Sequence, residues 1–286
     1  MLIDLHMHTN YSDGSYSPEE LIDYVSGRDL GIIAVTDHDE TGGVIPAREY
    51  GKKRGVEVIP GVELSIDIEL TGAAHLHLLG LMFDPGNVTL KNELAQLKKA
   101  REERAFMIVQ KLREAGLPIE AGDLVDAVGQ GSAGRPHIAE ILIKRGVVSD
   151  IYEAFSTYLS KGRPGYVPKK KLKLAPAIEL IHGAGGLAIL AHPVSLKCKT
   201  YRELGEKIIE MKSVGLDGIE AYYPGHDKYL TKWLVTFAGK NHLLLSGGSD
   251  FHGSAKPDVE PGIGRGSLDI PTDLVERMRE EVRSRK

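Results

Sequence analysis

Short apolar runs alternate with amphipathic stretches along most of the chain. Runs rich in β-branched and aliphatic residues predict strands over 2–7, 32–36, 56–62, 75–81, 187–191, 218–221 and 243–246. Between them, apolar residues at three- and four-residue spacing predict helices over 18–28, 41–54, 175–184, 201–214, 228–240 and 272–285. Ser17-Pro18-Glu19-Glu20 is a helix start, with a capping hydroxyl, a proline whose missing N–H costs nothing there, and acids facing the positive helix end. Strand–helix alternation predicts a parallel sheet or barrel. The rhythm breaks between residues 90 and 160, where only helical periodicity is seen. Leu90, Leu94, Leu97, Ala105, Ile108, Leu112 and Ala115 define a long helix that Gly116-Leu117-Pro118 ends, and shorter helices are expected over 121–128, 136–145 and 151–159. The pattern predicts one α/β domain from 1–88 and 165–286, interrupted by a helical insertion over 89–164. Lys169-Lys170-Lys171 is expected to be a solvated turn.

The polar residues within and after the strands carry the chemistry. Strand alternation puts Asp4, His6 and His8 on one face of the first strand, with the histidines at its C-terminal end. The second strand runs into Asp37-His38-Asp39, the third into Glu63, the fifth into His192-Pro193, and the last into Gly247-Gly248-Ser249-Asp250-Phe251-His252. His77 lies on the fourth strand and Asp13 in the loop after the first. In a parallel barrel such strand ends meet on one face. His6, His8, Asp13, His38, Glu63, His77, His192, Asp250 and His252 would then converge. Imidazoles and carboxylates without thiolates suit Mn, Fe or Zn in a catalytic site, not a cysteine-rich structural zinc site. Nine donors exceed the needs of one ion and suffice for two or three if a carboxylate bridges. His75, taken to lie deeper in its strand, is expected to be structural, as are His182 and His242; Glu220 is either a support for the ligands or a satisfied interior carboxylate.

Composition narrows the function. With 286 residues, 42% hydrophobic and 27% charged, the chain matches a soluble globular protein and can form a large core. No apolar run approaches the ~18 residues of a membrane span, and no signal peptide is expected at Met1. The single cysteine, Cys198, excludes an internal disulfide and fits a reducing compartment such as the cytoplasm. Thirty-six basic against forty acidic residues leave a net charge of −4, which argues against binding long duplex nucleic acid through phosphate neutralisation. A nucleotide or the end of a short oligonucleotide remains a suitable partner, and no obligate protein partner is evident.

The motifs Asp4-Leu5-His6-Met7-His8, Ser12-Asp13-Gly14, Thr36-Asp37-His38-Asp39, Gly61-Val62-Glu63, His77, Ala191-His192-Pro193 and Gly248-Ser249-Asp250-Phe251-His252 span the chain in order. Together they resemble the PHP (polymerase and histidinol phosphatase) family of metal-dependent phosphoesterases. Within the insertion, Gly134-Arg135-Pro136-His137-Ile138-Ala139 and the segment from Tyr158 to Val167 resemble the TrpH/YciV branch, which includes nucleoside 3′,5′-bisphosphate phosphatases, AMP phosphatases and 5′-to-3′ exonucleases on short RNA. The resemblance implies a distorted (β/α)7 barrel with a helical insertion over its mouth and a trinuclear centre, manganese being the foremost ion. It implies one ion on His6, His8, Glu63 and Asp250, a second on Glu63, His77 and His192, and a third on Asp13, His38 and His252. It assigns Arg135, Arg163 and Lys161 to substrate phosphate, which suits the guanidinium fork, and His226 to phosphate contact or leaving-group protonation. Glu40 departs from the branch pattern after Asp-His-Asp, which bears on substrate contacts only. The implied reaction is attack of a metal-activated hydroxide on a phosphomonoester. Three alternatives are a histidinol-phosphate phosphatase, an amidohydrolase, and a non-catalytic module that binds nucleic acid or a partner; the complete ligand set argues against the last.

Overall fold

A computed structural model describes residues 1–68, 74–128 and 133–285. Its strands are β1 Leu2–Met7, β2 Leu30–Val35, β3 Glu57–Asp67, β4 Leu76–Leu81, β5 Leu172–Lys173, β6 Leu187–Leu190, β7 Gly218–Tyr222 and β8 Leu244–Gly247. Its helices are α1 Pro18–Ser26, α2 Val44–Arg54, α3 Val88–Glu114, α4 Ala121–Val128, α5 Arg135–Lys144, α6 Ile151–Ala154, α7 Leu174–Gly183, α8 Tyr201–Ser213, α9 Lys228–Lys240 and α10 Asp273–Ser284. The sheet order is β1-β2-β3-β4-β6-β7-β8, with β5 paired to β3. A parallel bridge between Met7 and Phe251 joins the sheet's two ends just beyond β8.

The helix start expected at Ser17 forms for the expected reason. Ser17 accepts the Glu20 N–H while the Glu20 carboxylate accepts the Ser17 N–H, a complete capping box. Asp227 accepts the N–H groups of Tyr229 and Leu230 at the start of α9.

Two strands depart from the expected pattern. β4 runs antiparallel to both β3 and β6, within a sheet whose other pairs are parallel. The connection from Asp67 to Leu76 is shorter than the dozen or so residues that a parallel crossover needs, so the strand returns as a hairpin arm. β3 continues to Asp67 because Gly61–Ile66 pairs with β4 after Glu57–Pro60 has paired with β2. Glu63 therefore sits inside a strand, not after one.

Leu90, Leu94 and Leu97, on the first half of α3, pack into the same core as β3, β4, β6 and α7. Ala105, Ile108, Val109 and Leu112, on its second half, build a separate core with α4, α5 and Leu159. One helix thus anchors the insertion in the α/β body. Lys169 is no solvated residue: its Nζ lies 2.6 Å from Asp39 Oδ2 and donates to Ser65 Oγ at 2.6 Å. Side-chain length lets one lysine of the run fold inward while Lys170 stays exposed.

Candidate metal centre

Glu63 is the hub. Its Oε2 lies 3.2 Å from His6 Nε2, 3.2 Å from His8 Nε2 and 3.1 Å from His38 Nδ1. Its Oε1 lies 2.7 Å from His77 Nδ1 and 2.8 Å from His192 Nε2. Each imidazole arrives from a different element. His6 lies next to the end of β1 and His8 just beyond that strand; His38 sits in a loop bridged by backbone to Glu63 itself. Because β4 is antiparallel, His77 near its start reaches the end of the sheet where the parallel strands finish.

Two more carboxylates complete the cluster. Asp250 Oδ1 approaches His6 Nε2 at 3.6 Å, His8 Nε2 at 3.3 Å and His252 Nδ1 at 3.4 Å. Asp13 lies 3.4 Å from His252 Nε2, 3.7 Å from His8 Nδ1 and 3.8 Å from His38 Nε2. In each of four groups the donor atoms lie within 4.8 Å of one another: His6, His8, Glu63 and Asp250; His8, Asp13, His38 and His252; His38, Glu63 and His77; and His75, His77 and His192.

The donor set fits metal ions. Buried His6 Nε2, His8 Nε2, Asp13 Oδ1, His38 Nδ1 and Glu63 Oε2 have no hydrogen-bond partner although they converge. Isolated buried polar atoms are costly, and divalent ions would satisfy all five. The backbone at the cluster is itself unusual: His192, Asp250 and Asp39 adopt φ of 27°, 58° and 54°. Three non-glycine residues in the left-handed region at one site mark strain that the surrounding structure sustains.

Electrostatics keep the carboxylates charged. Burial pushes the Glu63 carboxyl upward, but His38, His77 and His6 outweigh it and hold it well below the usual range. Burial likewise opposes ionisation of Asp250, and Lys256, His6 and His8 overcome it. The carboxylates act in turn on the rings. Despite burial, Asp250 and Glu63 raise His8 to about 9.

A supporting layer aims the ligands. Glu220, wholly buried, bonds His6 Nδ1 at 2.9 Å through one oxygen and accepts the His192 N–H at 2.6 Å through the other. It thereby fixes one ligand ring and the backbone of another. His192 Nδ1 meets Ser195 Oγ at 2.9 Å. Asp4 accepts the N–H groups of His6, Ser249 and Gly262, tying β1 to the segments after β8; burial pushes its carboxyl up to about 6.

The remaining residues singled out in the sequence are placed as follows. His75 precedes β4, with its ring 4.8 Å from His77 and 5.6 Å from His192, so the antiparallel strand puts it at the mouth and not deep in the sheet. Arg135, half-buried at the start of α5, donates to Leu159 O at 3.4 Å and lies over the Phe155 ring. Lys161 and Arg163 are exposed. His226 packs behind Tyr223, which stands between it and His192, and bonds Ala221 O through Nδ1 at 3.0 Å. His182 bonds Asp217 at 2.8 Å, as befits a structural residue.

Sequence reading missed Tyr223 and Lys256, which contact Asp250 Oδ2 at 3.2 and 2.6 Å. It also missed Arg101, whose Nη1 donates to His38 O at 3.2 Å. Tyr223 and Lys256 belong to no periodic signal, whereas Arg101 falls on the buried stripe of α3 between Leu97 and Ala105, a place that the helical spacing did mark. A cleft of about 300 Å³ opens over the cluster, lined in part by His75, His77, His192, Tyr223, Asp250 and Lys256.

A mixed α/β sheet whose strand ends gather a thiolate-free His/Asp/Glu cluster defines a metal-dependent hydrolase. The chain belongs to the PHP domain family, whose model matches residues 4–113. It is 38% identical over 251 residues to a 5′-3′ exoribonuclease of Haemophilus influenzae, covering 87% of this chain and 89% of that protein. It is 35% identical over 255 residues to a 3′,5′-nucleoside bisphosphate phosphatase of Chromobacterium violaceum, covering 87% of each. A Bifidobacterium adolescentis structure assigned as a metal-dependent phosphoesterase matches with a TM-score of 0.82 and 31% identity, over 96% of this chain and 94% of that one.

Proposed function

We propose that the protein hydrolyses phosphomonoesters of nucleotides, foremost nucleoside 3′,5′-bisphosphates and AMP, at a trinuclear centre loaded with manganese. The observation that carries this reading is Glu63, one carboxylate shared by five imidazoles with its charge preserved at a buried site. Divalent ions bound there would neutralise phosphoryl oxygens and make water acidic enough to attack near neutral pH.

The chain's own residues do the rest. His6, His8, Glu63 and Asp250 would hold one ion; His77 and His192 a second with Glu63; Asp13, His38 and His252 a third. Glu220 keeps His6 in the tautomer that presents Nε2 inward. Lys256 and Tyr223 flank Asp250 at the cleft and would meet phosphate oxygens. Arg135 enters from the insertion to balance charge on the phosphate from the opposite side. The reaction needs no cysteine or serine nucleophile. Enzyme of this kind would work in the cytoplasm.

Trimming of short RNA from its 5′ end is a second reading, favoured by the 38% identity to an exoribonuclease. The deciding experiment is a phosphate-release screen with Mn²⁺ over 3′,5′-bisphosphates, mononucleotides, histidinol phosphate and short 5′-phosphorylated RNA. The proposal expects the nucleotides to lead. Preference for histidinol phosphate would overturn it.

A further inference from the structure

The chain leaves the metal ligand His192 along the rim of the cleft. A single helical turn, Pro193–Leu196, leads to Lys197, whose φ of 52° ends that turn ahead of Lys199 and α8. Val194 and Lys197 line the cleft over the metal centre. Val194 also lines a second groove, of about 340 Å³, together with Cys198, Lys199, Tyr201, Leu204 and Leu230. The two cavities therefore adjoin. No carboxylate lines the second one, in a chain whose net charge is −4. Lys197 and Lys199 are exposed, and among the described residues no carboxylate pairs with either ammonium.

A stack of three rings stands at the far side of that groove. Tyr201, the first residue of α8 and 43% exposed, stacks on Trp233 of α9 with centroids 5.1 Å apart. Trp233 stacks in turn on Phe237 at 4.9 Å. The local sequence builds this arrangement. Thr200 accepts the Glu203 N–H and so fixes Tyr201 at the opening of α8. Gly205 leaves room for the rings of α9, since a Cβ there would stand 2.9 Å from Phe237 Cε2. Unpaired cations followed by an exposed ring face are the chemistry that holds a single strand: the cations track phosphates, and the ring stacks a base of any identity. Lysine is depleted in protein–protein interfaces, so a polyanion suits this surface better than a second copy of the chain.

We infer that the groove running from Val194 past Lys197 and Lys199 to the Tyr201–Trp233 stack binds single-stranded RNA on the 3′ side of the phosphate held at the metal centre, with one base stacked on Tyr201. The inference rests on the RNA-trimming reading and gives it a hold on the strand that a mononucleotide does not use. Two lysines and one ring face take only a few nucleotides, so affinity rises over the first of them and then levels.

Trp233 is the only tryptophan in the chain, so its emission reports on the stack. The test titrates 5′-phosphorylated oligoadenylates of one, two, four and eight nucleotides into the metal-stripped protein, and measures kcat/KM for the same series with Mn²⁺ bound. The tetramer should quench Trp233 and bind about 5- to 150-fold more tightly than AMP, the range for one stacked base. Tyr201→Ala should remove that advantage and Tyr201→Phe should keep it. Tyr152→Ala, which removes an exposed ring of α6, should leave it unchanged. Lys199→Met should flatten the slope of log affinity against log salt by about 0.7, the share of one single-strand phosphate. Equal affinity for AMP and the tetramer, an advantage that survives Tyr201→Ala, affinity still climbing between tetramer and octamer, or a Tyr201→Ala effect that sedimentation traces to a split dimer would overturn the groove. If the tetramer binds through Tyr201 but the loaded protein leaves it uncut, RNA trimming fails and the groove stands. If it is cut equally well with and without Tyr201, trimming stands and the groove falls.

Discussion

At the scale of single residues, the proposed function turns on Glu63. Glu63→Gln keeps the shape and removes the charge, so metal content should fall by at least one ion per chain and phosphate release should drop to background. Elemental analysis beside an activity assay checks both, and full metal content with normal turnover would refute the bridge. Glu220→Ala acts through His6 and His192; it should weaken metal affinity about 10- to 100-fold, read by competition with a chelator. Protons give a third expectation. His8, raised to about 9, carries a proton at neutral pH in the metal-free cluster. A metal must displace that proton, so loading at pH 7 should release protons, and affinity should climb as pH rises towards 9. Calorimetry in buffers of different ionisation enthalpy measures the release; zero release would contradict the sign. The imidazoles and carboxylates were legible in the sequence because strand ends punctuate it and each carries a polar residue out of place in an apolar run. Arg101 was not, since an arginine on an amphipathic helix, even on its apolar stripe, reads as a solvated charge until its burial is seen. Lys169 was hidden in the same way by its lysine neighbours.

At the scale of elements, the sheet explains how residues far apart in the chain come together. Most strand and helix positions followed from periodicity, and α9 was predicted end to end. The direction of β4 did not follow, because alternation of strands and helices carries no sign of direction where the connecting segment is short. That one reversal moves His75 from the interior to the mouth. Closure of the sheet around the site depends on contact between β1 and the chain after β8. Gly248 lies against β1, and a Cβ there would meet His6 Cβ at 2.2 Å. Gly248→Ala should therefore push His6 out of place, costing about 1–3 kcal/mol of stability together with metal affinity. Denaturant unfolding and metal titration measure the two effects; an unaltered variant would show that the contact is loose. The insertion is tied to the site by α3 through Arg101 to His38 O and Lys98 to Glu40, at 3.2 and 2.9 Å. The second tie gives Glu40, the residue that breaks the branch pattern, a role in docking the insertion.

At the scale of the whole molecule, the centre is a cost in the metal-free state and a clamp when loaded. It gathers side chains from β1, β3, β4 and the segments after β2, β6 and β8, so ions would bind only the folded chain. At about 1000 times its dissociation constant one ion adds about 4 kcal/mol, and chelation should lower Tm by roughly 10 °C. An unchanged Tm on chelation would mean that the cluster is not loaded as a unit. The net charge of −4 fits a short substrate held by a few cations, with a shallow dependence on salt. The most direct measurement is phosphate release from adenosine 3′,5′-bisphosphate by the protein stripped of metal and then reloaded with Mn²⁺. The centre built around Glu63 predicts no turnover in the stripped protein, recovery on reloading, and no recovery for Glu63→Gln. Equal turnover before and after reloading would contradict it.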